Sequence, residues 1–520
     1  MKISYRVNTL FLIFSALMLT HIVGVSTSHA MTNYYLDPDW TGTQSGTQSQ
    51  PFALFTSGAW STINAALATG DVTVYLSARA AGSDTDDILS ATIDMTNKTP
   101  NPTGTLTLNG HSFYNTNDST PSWSAYSGTS KARVVGVDSQ NAGHMKYSKV
   151  TIDGLRIMQS GGNKGVAICG DNWTVENSDI SHTASATDGP LFLIVPTADG
   201  PHEGSSFYCS AMSNITIRNN TIHDSWGELI YVGAGGCNLS VSAALQAALD
   251  PSACQGAPSH SNISILNNTL SNCGSRGGQG DCIDMKAALT NVTIRGNDIS
   301  ASINSNDVRV IVTQGVRTDG TNQNLLIERN YIHDHPGVSD AAIALADSWG
   351  TPNGVTIRNN IIDTIVSGSA ILSYGSQSLG VSIYNNTIYK ASGFCITSQG
   401  GTYELRNNVC LSNNGDGTQT SLSGTFTSTN NAFSGTWGGT CTSCVAGLSI
   451  NALTNVAGKD FSVPVGSVLT DRGITLTSFS VDYVGTSRPQ GSGWDIGARE
   501  FNINSGDMVP PIPPTGLTIN

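Results

Sequence analysis

A short stretch that the chain repeats decides the fold: Ile215-Thr-Ile-Arg-Asn-Asn-Thr-Ile222. Its apolar residues alternate with polar ones, which is the periodicity of a β-strand. Two residues follow the strand, and the second is Asn, as in Asn219-Asn220. Asn tolerates the left-handed backbone conformation of a sharp bend. Clear copies start at Ile215, Ile263, Val292, Leu325, Val355, Val381 and Tyr403, and degenerate ones occupy 150–157 and 173–180. Each copy therefore predicts a strand followed by a bend.

The spacing of these copies predicts how the strands are arranged. Their last Asn recurs at intervals of 22 to 48 residues, at Asn220, Asn268, Asn297, Asn330, Asn360, Asn386 and Asn408. Repeats of this length indicate stacked units. The copies have no 3.6-residue stripe, which excludes helical solenoids, and most intervals are shorter than the ~40–45 residues of a propeller blade. The sequence predicts an all-β, right-handed parallel β-helix with the Asn residues stacked in one ladder, about 4.8 Å per step.

Composition limits the class of protein and its partners. Only 12% of the 520 residues are charged, 56 are Gly, and the net charge is −13. Regularly spaced Ile and Val argue against disorder. The negative charge argues against a nucleic-acid partner, which requires a basic surface.

The N terminus has the features of a secretory signal peptide. Lys2 and Arg6 precede an apolar run over 10–19, and Ser28-His-Ala30 is a small-x-small cleavage signal. The apolar run is shorter than the ~20 residues that span a bilayer. We expect cleavage near Ala30, a secreted, extracellular or periplasmic protein without a membrane span, and a monomer.

An exported chain with ten Cys is expected to contain disulfides. Proximity in sequence favours four pairs, although other pairings stay open: Cys237–Cys254, Cys273–Cys282, Cys395–Cys410 and Cys441–Cys444.

The Ile-Thr-Ile-Arg-Asn-Asn-x-Ile copies resemble the coils of the pectate-lyase-like superfamily of secreted right-handed β-helix proteins. The resemblance covers about 34–501, from the opening Tyr34-Tyr-Leu-Asp-Pro38 and a helix-like stretch at 61–68 to the closing Trp494-Asp-Ile-Gly-Ala-Arg-Glu-Phe501. It implies a signal peptide (1–30), an N-terminal cap with first coils (31–140), coils (141–435), a closing segment (436–501) and a Pro-rich tail (502–520). Signatures of the classical pectate lyases, polygalacturonases and alginate epimerases are missing.

Two insertions and one unusual coil indicate where a site lies. The longest intervals contain insertions at 190–212 and 233–260, which we expect to wall a groove. The next coil contains Gly-Asp281-Cys-Ile-Asp284-Met-Lys286. Alternation places Asp284 and Lys286 on the outward face, where the alternative is an ordinary solvated ion pair. We place Asp281 at the bend before the strand. Alignment of the coils adds Glu228 and Arg309 beside Asp281, Tyr231 beside Asp284 and Gln314 beside Lys286.

The resemblance implies a carbohydrate-active protein and assigns roles to this cluster. Lyases of the superfamily remove the proton α to a uronate carboxylate, and the 4-linked sugar leaves. We predict Lys286 as the base and Arg309 as the charge-neutralising or acidic group. Tyr231 and Gln314 are predicted to bind the polysaccharide. Three carboxylates are predicted as ligands of Ca²⁺, a possible cofactor: Glu228, Asp281 and Asp284.

Two other functions stay open. Carboxylates from adjacent coils, such as Glu228 and Asp281, could approach the ~5.5 Å separation of a retaining glycoside hydrolase. The acidic charge and the missing signatures also fit a non-catalytic surface or carbohydrate-binding protein.

Overall fold

The computed structural model describes residues 31–501. The excepted residues are 79–87, 118, 140–144, 160–164, 184–188, 195–210, 234–259, 276–279, 287–288, 301–308, 314–322, 336–340, 347–351, 366–367, 375–377, 379 and 412–416. The predicted signal peptide and tail therefore lie outside the described residues. Within them, no helix is long and apolar enough to cross a membrane.

The chain winds into coils whose parallel strands stack into three faces, as the repeats predicted. Face A consists of β1 (Thr32–Leu36), β2 (Val72–Leu76), β5 (Leu106–Asn109), β10 (Val150–Asp153), β13 (Trp173–Glu176), β16 (Ser213–Arg218), β19 (His260–Leu266), β22 (Leu289–Arg295), β25 (Leu325–Glu328), β28 (Val355–Arg358), β31 (Val381–Tyr384), β33 (Ile396–Arg406) and β35 (Thr420–Thr429). Face B consists of β4 (Ile93–Asp94), β9 (Val137–Asp138), β12 (Val166–Ala167), β15 (Phe192–Ile194), β18 (Ile230–Val232), β21 (Ile283–Met285), β24 (Ile311–Thr313), β27 (Ala341–Leu345) and β30 (Ser369–Ser373). Face C consists of β3 (Ile88–Leu89), β8 (Ala132–Val134), β11 (Leu155–Gln159), β14 (Asp179–His182), β17 (Thr221–His223), β20 (Thr269–Ser271), β23 (Asp298–Ser300), β26 (Tyr331–His335), β29 (Ile361–Ile365), β32 (Thr387–Ala391), β34 (Val409–Leu411), β36 (Ala432–Phe433) and β37 (Val445–Ala446).

Each coil runs from face A through face C to face B. In one coil, Ile217, Ile222 and Ile230 come from the three faces and are all fully buried. The inward residues of successive coils stack in register, so one continuous apolar core fills the cylinder. The outward residues are left to form surfaces.

The predicted Asn ladder is present at the bend between faces A and C. The Asn220 Nδ2 donates to Asn268 Oδ1 at 3.0 Å, and the same contact joins every later pair through Asn408. The residue before the ladder Asn has positive φ, for example 53° at Asn267. The ladder runs one step further than predicted, to Asn431. There the backbone N–H donates to Cys444 Sγ at 3.3 Å, so the Cys441–Cys444 disulfide ends the ladder.

A second Asn ladder, which the repeat analysis missed, runs along the opposite edge of face A. Its members are exposed and have positive φ, and each after the first donates its Nδ2 to the Oδ1 of the member in the preceding coil at 3.0–3.1 Å. They are Asn172, Asn214, Asn262, Asn291 and Asn324.

The two ladders predict unequal costs for the same substitution. The Asn297→Ala substitution removes a buried side chain. Asn268 Nδ2 then loses its acceptor, and the Ile265 carbonyl loses its donor. Unsatisfied buried groups should lower the free energy of unfolding by about 3 kcal/mol. The exposed Asn291→Ala should cost less, about 1 kcal/mol, because water replaces the lost bonds and only the strain of Ala at positive φ remains. Urea denaturation of both variants checks this, and equal losses would contradict it.

The N-terminal end is closed by helix α1 (Ser57–Leu67), a 3₁₀ turn (Met95–Asn97) and a hairpin of β6 (Phe113–Asn115) and β7 (Trp123–Ala125). The helix begins four residues earlier than the stretch singled out in the sequence, because the Thr56 side chain accepts from Ala59 N–H and caps it. After the 3₁₀ turn, Lys98 is buried, and its Nζ donates to the carbonyls of Thr99 (3.0 Å) and Ser148 (2.6 Å).

Lys98 predicts a pH dependence of stability. Burial, then the charge of Lys149, lowers the pKa of Lys98 to about 7, below its unfolded value near 10.4. The unfolded state therefore binds more protons between these values, and stability should rise with pH across this window. Lys98→Met should abolish this rise and gain about 2 kcal/mol at pH ~7, a gain that fades towards pH ~10. Parallel urea titrations of both proteins test it; identical pH profiles would contradict the prediction.

The closing segment over 448–501 packs onto the outside of face C. Two 3₁₀ turns (Ile450–Ala452 and Val456–Gly458) begin it, and Phe461 and Leu469 cover Tyr389 and Val409. Further along, Arg488 pairs with Glu500, both side chains fully buried, and donates to Asn359 Oδ1 at 3.1 Å. The segment is thereby tied to the bend that carries the ladder.

The cysteines match the favoured pairing in part. Cys273–Cys282 and Cys441–Cys444 are disulfides. Cys395 and Cys410 are buried neighbours but are unbonded, which differs from the favoured pair. Cys237 and Cys254 lie outside the described residues, and Cys169 is disulfide-bonded.

Faces A and B merge at the last coils. Strand β33 pairs with both β30 and β31, and β35 follows it along its length. Gly401 (φ 96°) and Gly424 (φ 98°) form the corner, where a Cβ on Gly401 would lie 2.2 Å from the Ser378 carbonyl oxygen. Strand β33 has one residue more than β35 at this corner.

Candidate functional site

Asp284 and Lys286 lie on the outward side of face B, as predicted. Their neighbours Ile283 and Met285 point into the core. Lys286 Nζ is 2.5 Å from Asp284 Oδ2, and the two side chains are 8% and 0% exposed. The alternative of an ordinary solvated ion pair does not describe this site, because the ion pair is buried.

Tyr231 lies beside this pair in the preceding coil. The β18–β21 register places Tyr231 opposite Asp284, as the alignment predicted. Lys286 Nζ lies 5.1 Å from the centroid of the Tyr231 ring, a cation–π distance. The ammonium group is thus held between a carboxylate and an aromatic face.

Asp281 lies at the bend before β21, where it was predicted. Its Oδ1 accepts from the backbone N–H of Arg309 at 2.7 Å. Burial, then the neighbouring Asp284 carboxylate, raises the pKa of Asp281 well above its usual range. Burial also raises the pKa of Asp284, against the opposing effect of Lys286. The raised pKa favours the protonated form of Asp281, which can donate a proton, next to a carboxylate paired with a cation.

The guanidinium of Arg309 is turned along face B. Its Cζ lies 5.8 Å from the ring centroid of Tyr374, and both side chains are half-buried. Arg309 also lowers the pKa of both aspartates through its charge. Arg309 therefore lies next to Asp281, as predicted, but the contact is made by its backbone N–H.

The other predicted members are only partly placed. Glu228 is buried at the bend before β18. Gln314 and most of both insertions lie outside the described residues. Among the residues that the structure describes, no three His, Cys, Asp or Glu side chains form a group that could hold a metal ion. Glu228, Asp281 and Asp284 do not form such a group of ligands.

The outward column of face B changes character along the cylinder, which the repeat motif did not reveal. After Asp284 it continues through Val312, Ala344 and Leu372, all buried. It then reaches Thr397, which is half-buried, and Ser421, which is exposed. A buried ionic cluster, a buried apolar stretch and an exposed polar end follow one another.

Comparisons with known proteins bear on the fold. Residues 208–388 match a family model described as "Right handed beta helix region". No curated protein matches the chain significantly in sequence.

Solved structures resemble the chain at low identity. The pectate lyase Pel9A is 15% identical, with 91% of this chain and 97% of that chain covered and a TM-score of 0.46. The GH136 lacto-N-biosidase from Eubacterium ramulus is 14% identical, with 77% and 68% covered and a TM-score of 0.45. PfbA, a surface adhesin of Streptococcus pneumoniae, is 16% identical, with 72% and 79% covered and a TM-score of 0.34.

The stacked faces and the family match define the chain as a right-handed parallel β-helix protein. The predicted likeness to the pectate-lyase-like superfamily is confirmed for its fold.

Proposed function

We propose that this protein is carbohydrate-active and cleaves a uronate-containing polysaccharide by β-elimination at Asp281, Asp284 and Lys286. The observation that carries the proposal is the ion pair between Lys286 and a fully buried Asp284, next to an Asp281 whose pKa burial raises. Ionisable groups with perturbed pKa values on one outward sheet surface are typical of functional sites.

Lys286 is the proposed base that removes the proton α to the uronate carboxylate. The base must be the neutral amine, whereas the ion pair holds an ammonium. Lys286 must therefore release its proton before it can accept the one from the uronate.

Asp281 and Arg309 are the proposed partners of the base. A protonated Asp281 can donate to the oxygen of the leaving sugar as the bond to it breaks. The Arg309 guanidinium stabilises the negative charge that develops on the uronate. Tyr231 would stack on the sugar beside the reacting one, and Gln314 stays a proposed polysaccharide contact.

Calcium stays a proposed cofactor, and the residues fit it in part. Asp281 Oδ2 and Asp284 Oδ1 are buried and accept no hydrogen bond from the residues that the structure describes. In their ionised form, such oxygens would suit a hard cation, which would neutralise the uronate carboxylate; a calcium-bound Asp281 could not also be the proton donor, so the two roles are alternatives. The described chain supplies two carboxylates here, so the remaining ligands would have to come from backbone, water or substrate.

The burial of the pair sets a condition on this proposal. Asp284 is fully buried and Lys286 nearly so, so the cluster must become exposed before a glycan can reach it. Reaction of Lys286 with a water-soluble amine-modifying reagent, followed by peptide mass spectrometry, measures this exposure with and without polysaccharide.

A glycoside hydrolase is the second candidate. The raised pKa of Asp281 beside Asp284 resembles an acid and its ionised partner. The pair differs from the predicted Glu228 and Asp281. A non-catalytic carbohydrate-binding protein is the third candidate.

Product analysis separates these functions. The protein is incubated with pectin, alginate, ulvan, glycosaminoglycans and bacterial exopolysaccharides, with calcium or with a chelator. β-Elimination gives products with the ultraviolet absorbance of an unsaturated uronate. Reducing ends without this absorbance would favour the hydrolase, and binding without cleavage would favour the third function.

Export after cleavage near Ala30 and a monomeric state stay proposals; N-terminal sequencing and light scattering test them.

A further inference from the structure

The last coils of face B present an exposed polar surface. Gln399, Ser421 and Ser423 are exposed on the outward side of β33 and β35, and Thr397 is half-buried. Their inward neighbours, such as Ile396 and Leu422, pack on the core. The outward surface is therefore built by alternation and is regular.

Two aromatic residues border this surface. Phe394 is 36% exposed and lies two residues before the start of β33. Tyr374 follows β30 and is half-buried, with the Arg309 guanidinium over its ring. We define the open end of face B as Tyr374, Phe394, Thr397, Gln399, Ser421 and Ser423.

The openness has a structural cause. In earlier coils the chain leaves face B through inserted residues, such as 314–324 between β24 and β25. In the last two coils β33 and β35 continue from face B to face A, and Gly401 and Gly424 make the corner. At this corner β33 has only one residue more than β35, so the described strands pass directly from face B to face A there.

The chemistry of this surface selects a ligand. Hydroxyl and amide groups can exchange hydrogen bonds with sugar hydroxyls, and aromatic rings pack on the apolar faces of sugar rings. None of the six side chains is charged at neutral pH. In a chain of net charge −13, the described part of this surface offers an acidic sugar no compensating cation beyond Arg309 at its border.

We propose that the open end of face B binds uncharged sugar residues. This inference rests on the proposed function. Together they describe the substrate as a mixed polysaccharide with neutral sugar residues beside the reacting uronate. The registers place Thr397 four coils and Ser421 five coils from Asp284. That is about 19–24 Å, at ~4.8 Å per coil, a span of several sugars.

Binding, measured without catalysis, tests this inference. Hexasaccharides of neutral glucan, galactan, mannan and xylan, and of polygalacturonate, are titrated into the full chain by calorimetry. We expect a neutral hexasaccharide to bind more tightly than the acidic one. Phe394→Ala should weaken its binding about tenfold, as for a central aromatic contact, and Gln399→Ala severalfold. Val465→Ala, at an 84% exposed apolar position in the closing segment, is the matched control and should change nothing.

The outcomes separate this inference from the proposed function. If no neutral hexasaccharide binds, or if Phe394→Ala and Gln399→Ala bind like the wild type, the inference is wrong, whether or not the protein cleaves a uronate. If both variants lose binding while no polysaccharide is cleaved, the surface assignment stands and the lyase proposal fails. Unchanged circular dichroism and melting temperature of the variants ensure that folding is not the cause.

Discussion

Lys286→Met is expected to lower turnover of the cleaved polysaccharide by about 10²–10⁴, the usual contribution of a positioned base. Methionine fills the space beside Tyr231 but cannot accept a proton. Lys390→Met is the matched control, because Lys390 also lies over a tyrosine ring, at 5.3 Å, but on face C. It should retain full turnover. Initial rates on the substrate identified by the product screen measure both.

Folding must be separated from catalysis at this position. Removing Lys286 alone leaves the buried Asp284 carboxylate without its paired cation, and this should itself lower the stability of the fold. The double variant Lys286→Met, Asp284→Asn removes both charges and should recover much of that stability without recovering activity. If Lys286→Met keeps wild-type turnover, Lys286 is not the base and the pair is structural.

Arg488→Met is expected to lower the free energy of unfolding by about 3–5 kcal/mol. The guanidinium is fully buried, pairs with Glu500, and donates to Gly497 O (2.9 Å) and Asn359 Oδ1 (3.1 Å). Its loss leaves a buried carboxylate without a cation and removes one of the hydrogen bonds that join the closing segment to the ladder bend, while others, such as Asn385 Nδ2 to Gly497 O, remain.

Arg218→Met is the matched control for this prediction. Arg218 pairs with Glu176 at 2.6 Å, but its side chain is 48% exposed, so the pair should contribute less than about 1 kcal/mol. Urea denaturation followed by tryptophan fluorescence compares the variants. Trp494 is buried, with its ring 5.4 Å from Arg488, and is one of the eight tryptophans that contribute to this emission. Similar losses for both substitutions would refute the special role of Arg488.

The parts of the fold that depend on local pattern were predictable. Alternation at Ile215 to Ile217 and the bend at Asn220 depend only on the strand period and on the left-handed tolerance of Asn. The same rules placed Asp284 and Lys286 on the outward side and Asp281 at the bend. Asn431 escaped notice because its copy lacks the Ile and Val that mark the others.

The parts that depend on tertiary contacts were not predictable. Alternation gives the direction of the Asp284 side chain but not its burial, since burial depends on what packs over the sheet. The role of Arg488 depends on Asn359, 129 residues earlier in sequence, and no local pattern connects them. The second Asn ladder was present in the sequence, at Asn214, Asn262 and Asn291, and a search by register would have found it.

The ladder also implies a constraint on how the cylinder can end. Each ladder Asn donates both its backbone N–H and its Nδ2 to the next coil, as Asn386 does to Asn408. A cylinder broken off after any coil would therefore present unpaired donors beside open strand edges, which is a template for a foreign strand. The disulfide turn at Cys441–Cys444 occupies that position and offers a sulfur where another Asn would stand. The Asn ladder of this cylinder therefore ends on a covalently closed turn and does not end on an unpaired Asn.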